Sequence, residues 1–207
     1  MAEAAAVILA GGRGERLGGA VKGTLEIGGV RLIERVFRAL HDAAPVLVAR
    51  GSFSDDELPL PKGTIAVADA GGAEGPLAGV AGAVHWLGKQ KSAPVFLLSV
   101  AVDTPFFPDD FLAEALLTIG NADAVVARFE GQDYPTNALW RVSAIARPVG
   151  KARSLKGLLR LIRTVPINWD AARGENPFAN VNTFEEQAAL ERRAAAYFGV
   201  GKGGQTR

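Results

Sequence analysis

The sequence predicts an α/β fold in three layers, a mostly parallel sheet with helices on both faces, on three observations. Short apolar runs bounded by turn residues alternate with stretches of helical period, as parallel strands joined by crossover helices do. The first of these runs, Ala5 to Leu9, passes into a loop crowded with glycines and cations. Two later runs end close to aspartates, Asp69 and Asp103. In an open sheet of this kind ligands lie beyond the carboxyl ends of the strands, and the loop and both aspartates fall there.

The elements follow in order. Ala5 to Leu9 is the first strand, and Leu32, Ile33, Val36, Phe37 and Leu40 mark one face of the helix after the loop. Val46 to Val48 and Ile65 to Ala68 are the next strands. Pro76 suits a first helical position, and Leu77, Val80, Val84 and Leu87 continue that helix as a buried stripe. Val95 to Val100, the most apolar run, is expected at the centre of the sheet and delivers Asp103 to its carboxyl end. Pro108-Asp109-Asp110 opens a helix with carboxylates where the helix dipole favours them. Ala124 to Ala127 and Ala138 to Trp140 read as a strand pair joined by a polar loop containing Gly131 and Pro135. Leu155, Leu158, Leu159 and Ile162 predict a helix, and Val165 to Trp169 an edge strand weakened by Pro166. Thr183-Phe184-Glu185-Glu186 has the capping-box spacing and begins a helix to about Tyr197. Residues 1–198 are expected to form one domain and 199–207, glycine-rich and polar, a flexible tail.

Composition narrows the function classes. At 207 residues the chain suits one well-buried core. Lys and Arg number 23 against 22 acidic residues, a net charge of +1, which argues against a nucleic-acid or membrane-surface partner. Without cysteine, thiolate metal sites and disulfides are excluded, and a metal must be held by oxygen or His. The first residues lack a signal-peptide pattern, and no apolar run approaches the roughly 20 residues of a membrane span. The expected location is cytoplasmic. His41 and His85 sit in helical patterns with no metal-ligand spacing around them.

The loop carries the chemistry. Leu9-Ala10-Gly11-Gly12-Arg13-Gly14-Glu15-Arg16, followed by Gly18, Gly19, Lys22 and Gly23, gathers bare backbone N–H groups and three cations. An ordinary turn needs one or two glycines and none of Arg13, Arg16 and Lys22; a polyphosphate needs all of them. Two familiar phosphate loops fail on spacing. A G-x-G-x-x-G fingerprint from Gly12 meets Leu17 where its last glycine belongs. A P-loop requires Ser or Thr after Gly-Lys, whereas Lys22 lies between Val21 and Gly23. Asp103, at the end of so apolar a strand with no local partner, is costly unless solvated or bound to a cation. It suits Mg²⁺, which takes one or two carboxylates and completes its shell with phosphates and water.

The loop resembles the N-terminal motif of the molybdenum cofactor guanylyltransferases, nucleotidyltransferases built on one α/β domain. Further stretches agree in order: Gly75-Pro76-Leu77-Ala78-Gly79, Asp103-Thr104-Pro105-Phe106, Tyr134-Pro135-Thr136 and Asn180-Val181-Asn182-Thr183. The resemblance spans about Ala6 to Leu190. It implies a Rossmann-like nucleotidyltransferase fold and Mg²⁺-dependent transfer of GMP from GTP to the terminal phosphate of molybdopterin, free or molybdenum-loaded. Other molybdenum cofactor biosynthesis proteins or target molybdoenzymes are the implied protein partners.

Lys22, Arg16 and Asp103 are the candidate catalytic residues, the two cations as charge stabilisers; by the same resemblance Lys22 lies on the phosphates and Asp103 is the metal ligand. Leu9 to Gly14, Lys22, Asp69, Gly75, Pro76, Leu77 and Asp103 bind nucleotide, and Pro135, Thr136, Asn180 and Asn182 face the acceptor. Read from the residues alone, Asp69 equally ends a strand, and Asn180 and Asn182 equally serve as turn and cap residues. The chain departs from the family at Val21, where an Asp usually precedes the lysine, and at Val48-Ala49-Arg50, where relatives often carry asparagine. The rival readings are a cytidylyltransferase or other nucleotidyltransferase of the same fold, or a catalytically silent nucleotide-binding homologue. Relatives using CTP tend to carry Ala where Gly11 stands, which favours guanine.

Overall fold

The computed structural model describes residues 3–170 and 174–199. The chain opens with β1 (Ala4–Leu9) and two short hairpins, β2 (Arg13–Gly14) with β3 (Ala20–Val21) and β4 (Glu26–Ile27) with β5 (Val30–Arg31). After α1 (Leu32–Ala39) come β6 (Val46–Ala49), β7 (Ile65–Val67), α2 (Pro76–Leu87), β8 (Phe96–Ala101) and α3 (Phe111–Ile119). β9 (Ala124–Phe129), β10 (Gln132–Arg141), α4 (Val142–Ile145), α5 (Leu155–Arg160), β11 (Thr164–Asn168) and α6 (Phe184–Gly199) complete it.

One sheet of seven strands runs in the order β11-β9-β10-β8-β1-β6-β7. β10 is antiparallel to β8 and β9, and every other pair in that sheet is parallel. β8 stands at the middle with every residue buried, the position its apolar run predicts. β1 shows how the layers divide: Ala4, Ala6 and Ile8 face one core, Ala5 and Val7 the other. On the first side Leu32, Ile33 and Val36 of α1, Phe111 and Ala115 of α3 and Ala194 of α6 cover the sheet. On the second it is covered by Leu77, Val80 and Val84 of α2, Ile145 of α4 and Leu155 and Leu158 of α5.

Two local differences from the sequence reading have physical causes. The glycine loop does not lead straight into a helix; residues 10–31 fold as hairpins and single 3₁₀ turns before α1. Gly18, Gly19, Gly28 and Gly29 have φ of 68°, 78°, 58° and 68° and supply the reversals. Pro135 lies inside β10 rather than in a loop, because Glu130 and Gly131, both at positive φ, reverse the chain in two residues. It occupies a bulge between Tyr134 and Ala138, where a missing N–H breaks no ladder bond. Asp110 precedes α3 but makes no side-chain cap bond. Ile162 lies beyond the end of α5 at Arg160.

The capping box forms: Thr183 N–H donates to Glu186 Oε2 at 3.0 Å and Glu186 N–H to Thr183 Oγ1 at 3.2 Å. Gly199, where the sequence places the start of the tail, is the last residue of α6; residues 200–207 lie outside the described residues. No helix among the described residues is long and apolar enough to cross a membrane.

α2 presses unusually close to the sheet. A Cβ on Gly79 would lie 2.8 Å from Ala49 Cβ and from Leu9 Cδ2, and one on Gly82 would lie 2.1 Å from the Ala68 carbonyl oxygen. Only glycine permits this approach, which carries the start of α2, Gly75 and Pro76, to the carboxyl ends of the strands.

Candidate active site

A cavity of about 390 Å³ opens at the carboxyl ends of β1, β6 and β8. Its wall includes Gly11 and Gly12 of the first loop, Lys22, Asp69, and Gly75 and Pro76 at the start of α2. Asp103 in the turn after β8, Thr136 on β10 and Asn180 in the segment before α6 face it, with Leu9, Ala49, Gly79, Ala101 and Val102 between. Residues from 9 to 180 thus meet around one space, as the parallel topology requires.

Lys22 begins a 3₁₀ turn, Lys22–Thr24. Its Nζ donates to Asp103 Oδ2 and to Asn182 Oδ1, each at 2.6 Å. The lysine and aspartate side chains are only 14% and 13% exposed, so the pair feels a weaker dielectric screen than a surface ion pair. Gly23 is buried, and a Cβ there would lie 2.7 Å from Leu58 Cδ1, so a larger residue would displace that leucine. Val21 lacks a polar side chain, but Lys22 takes its orientation from Asp103 and Asn182 instead. The cation that Asp103 lacked in its local sequence is therefore the Lys22 ammonium.

Asp103 sits in a closed turn. The Ala101 carbonyl accepts from Thr104 N–H at 3.3 Å and from Thr104 Oγ1 at 2.6 Å. Val181 N–H donates to the Asp103 carbonyl at 3.1 Å, which docks the asparagine segment on this turn. Asn182 thereby reaches Lys22, and Asn180 reaches the cavity with its Oδ1 buried and no hydrogen-bond partner among the described residues. A carboxylate and an orphaned amide oxygen are ligands that a hard divalent cation accepts. Among the described residues no group of three or more His, Cys, Asp and Glu could hold a metal. Substrate phosphates and water would have to complete the shell of a cation at Asp103. His41 lies 3.5 Å from Asp42 and His85 is exposed on α2.

Asp69 follows β7 between two glycines; a Cβ on Gly51 or Gly79 would come within 3.8 Å of its carboxylate. Although the residue as a whole is exposed, desolvation by the packed backbone raises its carboxyl pKa above the ordinary value. The same glycine pairing recurs beside it. A Cβ on Gly11 would lie 3.1 Å from Gly51 N and 3.2 Å from Gly51 Cα, whereas one on Gly12 would meet nothing within 4 Å. Gly11 packs tightly against the Gly51 backbone, and Gly12 leaves room in the cavity.

The remaining candidates do not line the cavity. Ala10 is fully buried and donates its N–H to the Ala49 carbonyl at 2.8 Å. Gly14 is buried in β2. Arg13 pairs with Glu57 at 2.9 Å and lies 4.8 Å from the Phe53 ring centroid. Arg16 is exposed, with no ion-pair partner among the described residues. Leu77 packs into the core with Val7 and Leu47. Pro135 is half-buried in the β10 bulge, and Asn182 acts on the site through Lys22. The sequence reading did not assign the cavity residues Ala101, Val102 and Gly79 a role. Gly79 stood within a quoted motif, but the two residues before Asp103 gave no signal beyond position.

Comparison with known proteins agrees with this geometry. Residues 6–175 match the family model of the MobA-like NTP transferase domain. The chain is similar to the molybdenum cofactor guanylyltransferase of Rhodopseudomonas palustris (strain HaA2), 32% identical with 90% of each chain covered. Among solved structures it resembles molybdopterin-guanine dinucleotide biosynthesis protein A from Archaeoglobus fulgidus, with TM-score 0.69, 20% identity, and 93% of this chain and 99% of that one covered. It also resembles 2-C-methyl-D-erythritol 4-phosphate cytidylyltransferase from Thermus thermophilus, with TM-score 0.67, 19% identity, and coverage of 92% and 98%. At these identities the solved structures speak for the fold, and the family model together with the closer sequence similarity decides membership: the chain belongs to the MobA-like NTP transferase family.

Proposed function

We propose that this nucleotidyltransferase moves GMP from GTP to the terminal phosphate of molybdopterin, or of its molybdenum-loaded form, with release of pyrophosphate and with Mg²⁺ as cofactor. The observation that carries the reading is the Lys22 ammonium held at 2.6 Å by both Asp103 and Asn182 on the wall of a cavity shared with the glycine loop.

In this reading GTP lies with its base and sugar toward Leu9, Gly11 and Asp69. Its phosphates face Gly12, Lys22 and the start of α2, whose dipole favours negative charge. Attack on the α-phosphate places growing charge on the phosphoryl oxygens and the leaving pyrophosphate. Lys22, already fixed by two partners, offsets that charge without reorganising. Arg16, exposed in the same loop, is the further cation within the loop for the leaving group, whereas Arg13 is committed to Glu57. Asp103 and Asn180 would hold Mg²⁺, which supplies further charge neutralisation at the phosphoryl oxygens. Thr136 and Asn180 border the side from which the acceptor enters, with Pro135 and Asn182 behind them. The acceptor's terminal phosphate is already anionic, so positioning suffices and no general base is needed.

The test incubates the protein with Mg²⁺, molybdopterin and each labelled NTP, and follows pyrophosphate release. Turnover with GTP is expected. Turnover with CTP and not GTP replaces the guanylyl assignment by a cytidylyl one, and no turnover with any NTP leaves a nucleotide-binding homologue without this activity.

A further inference from the structure

Asn137 is one of the few polar residues fully buried in the core, and no motif in the sequence points to it. It ends the β10 bulge: Tyr134 pairs with Ala127 and Ala138 with Val126, so residues 135–137 have no ladder partners on β9. On the other side of β10, backbone pairing with β8 reaches Ala138 opposite Ser99 and stops. The next β8 group directed at β10, the Ala101 N–H, is met by the Asn137 side chain, whose Oδ1 accepts it at 3.1 Å. A side-chain amide thus takes the place of a backbone carbonyl at the point where the strands part. The bond fixes the amide's orientation, and Nδ2 is left buried without a partner among the described residues. An apolar side chain would avoid that uncompensated donor, so the acceptor has to matter.

What it holds is the Asp103 turn. The N–H of Ala101 is taken by Asn137, and its carbonyl by Thr104, itself fully buried. Between these two anchors lie Val102 and Asp103, both on the cavity wall. The same side chain pins the bulge from which the preceding residue, Thr136, reaches the cavity. We infer that Asn137 is a positioning residue: by substituting for a strand carbonyl at Ala101 it sets the Asp103 carboxylate for its divalent cation and couples it to the wall bearing Thr136. This rests on the proposed nucleotidyl transfer for the role of Asp103, but the hydrogen bond itself does not.

The test compares the wild type with Asn137→Leu, which removes the acceptor at similar volume, and Asn137→Asp, which keeps an oxygen toward Ala101 N–H. Mn²⁺ binding in the presence of a non-hydrolysable GTP analogue is read by electron paramagnetic resonance, beside turnover and its dependence on Mg²⁺. Measurements are made below the unfolding temperature of each variant. Displacement of a catalytic group by about 1 Å costs about 10²-fold. Asn137→Leu is therefore expected to lose about 10- to 100-fold in kcat and to need more Mn²⁺ and Mg²⁺ for half-saturation, with KM for GTP nearly unchanged. Asn137→Asp is expected to recover most of both losses even if it melts earlier. A Leu variant with wild-type Mn²⁺ affinity and kcat overturns the inference, as do Leu and Asp variants that are equally impaired. Amide exchange of the wild type decides the matter should either variant not fold: Ala101 N–H should be protected like its β8 neighbours, and fast exchange there overturns the inference. Wild-type turnover of CTP in place of GTP overturns the guanylyl reading alone, since the Mn²⁺ and amide readouts still decide Asn137. A wild type that binds no Mn²⁺ with any nucleotide overturns both.

Discussion

Lys22 Nζ and Asp103 Oδ2 lie 2.6 Å apart although 81 residues separate them, and each arrives from the end of a different parallel strand or its loop. Removing one partner leaves the other's charge part-buried and uncompensated, which costs more than the pair itself contributes. Lys22→Met is expected to lower thermal stability and to reduce turnover by about 10²–10³-fold, the usual loss for one charge-stabilising donor. Asp103→Ala is expected to abolish metal-dependent turnover in a protein that circular dichroism still shows folded. Unchanged pyrophosphate release in either variant would remove that residue from the mechanism.

Gly11 and Gly12 are neighbours with opposite expectations. Gly12 has room for a methyl group in the free protein, so Gly12→Ala should melt close to wild type but raise KM for GTP, because the methyl group enters space meant for substrate. At Gly11 a Cβ lies 3.1–3.2 Å from the Gly51 backbone, which no side-chain rotation relieves. Gly11→Ala should destabilise by about 1–3 kcal/mol, as overpacking does. Scanning calorimetry with nucleotide titration separates the two outcomes.

These two glycines also show how far the sequence could be read. The alternation of apolar runs fixed the sheet and placed β8 at its centre, since strands buried on both faces have little freedom in composition. The glycine loop and Asp103 were legible because bare backbone beside cations, and a carboxylate after an apolar strand, are expensive without a purpose. That Gly11 serves packing and Gly12 the cavity was not legible, since the reason lies in Gly51, forty residues on. Lys22 likewise found Asn182 across 160 residues. Asn137 was invisible for another reason: its role follows from a bulge in strand pairing, and no local pattern encodes register.

Asp69 has a carboxyl pKa raised by desolvation. The native state therefore holds this proton more tightly than the unfolded chain, whose value is near the ordinary 3.8. This contribution to stability is fully present below that value and is lost as pH rises through the raised native pKa. Asp69→Asn has no such proton to lose. Relative to the wild type, the variant should gain stability as pH rises across that interval and keep a constant advantage above it. Urea unfolding of both proteins from about pH 3 to about pH 7 measures the difference, and a difference independent of pH would deny the desolvation.

Glu186 joins the helix start to the site. Its Oε2 accepts from Thr183 N–H at 3.0 Å and also from Asn182 N–H at 2.7 Å, and the Asn182 side chain holds Lys22. Thr183→Ala removes only the acceptor for Glu186 N–H, at a cost of about 1 kcal/mol typical of a lost N-cap, and leaves Asn182 bonded. Glu186→Ala keeps the bond to Thr183 Oγ1 but removes the acceptor for the Thr183 and Asn182 N–H groups. Both variants should melt earlier by a similar amount, but only Glu186→Ala should lose turnover, by several-fold, because Lys22 is then held by Asp103 and a loosened Asn182. Equal turnover in the two variants would mean that Asn182 keeps its place without Glu186, through the Val181 N–H bond to the Asp103 carbonyl alone.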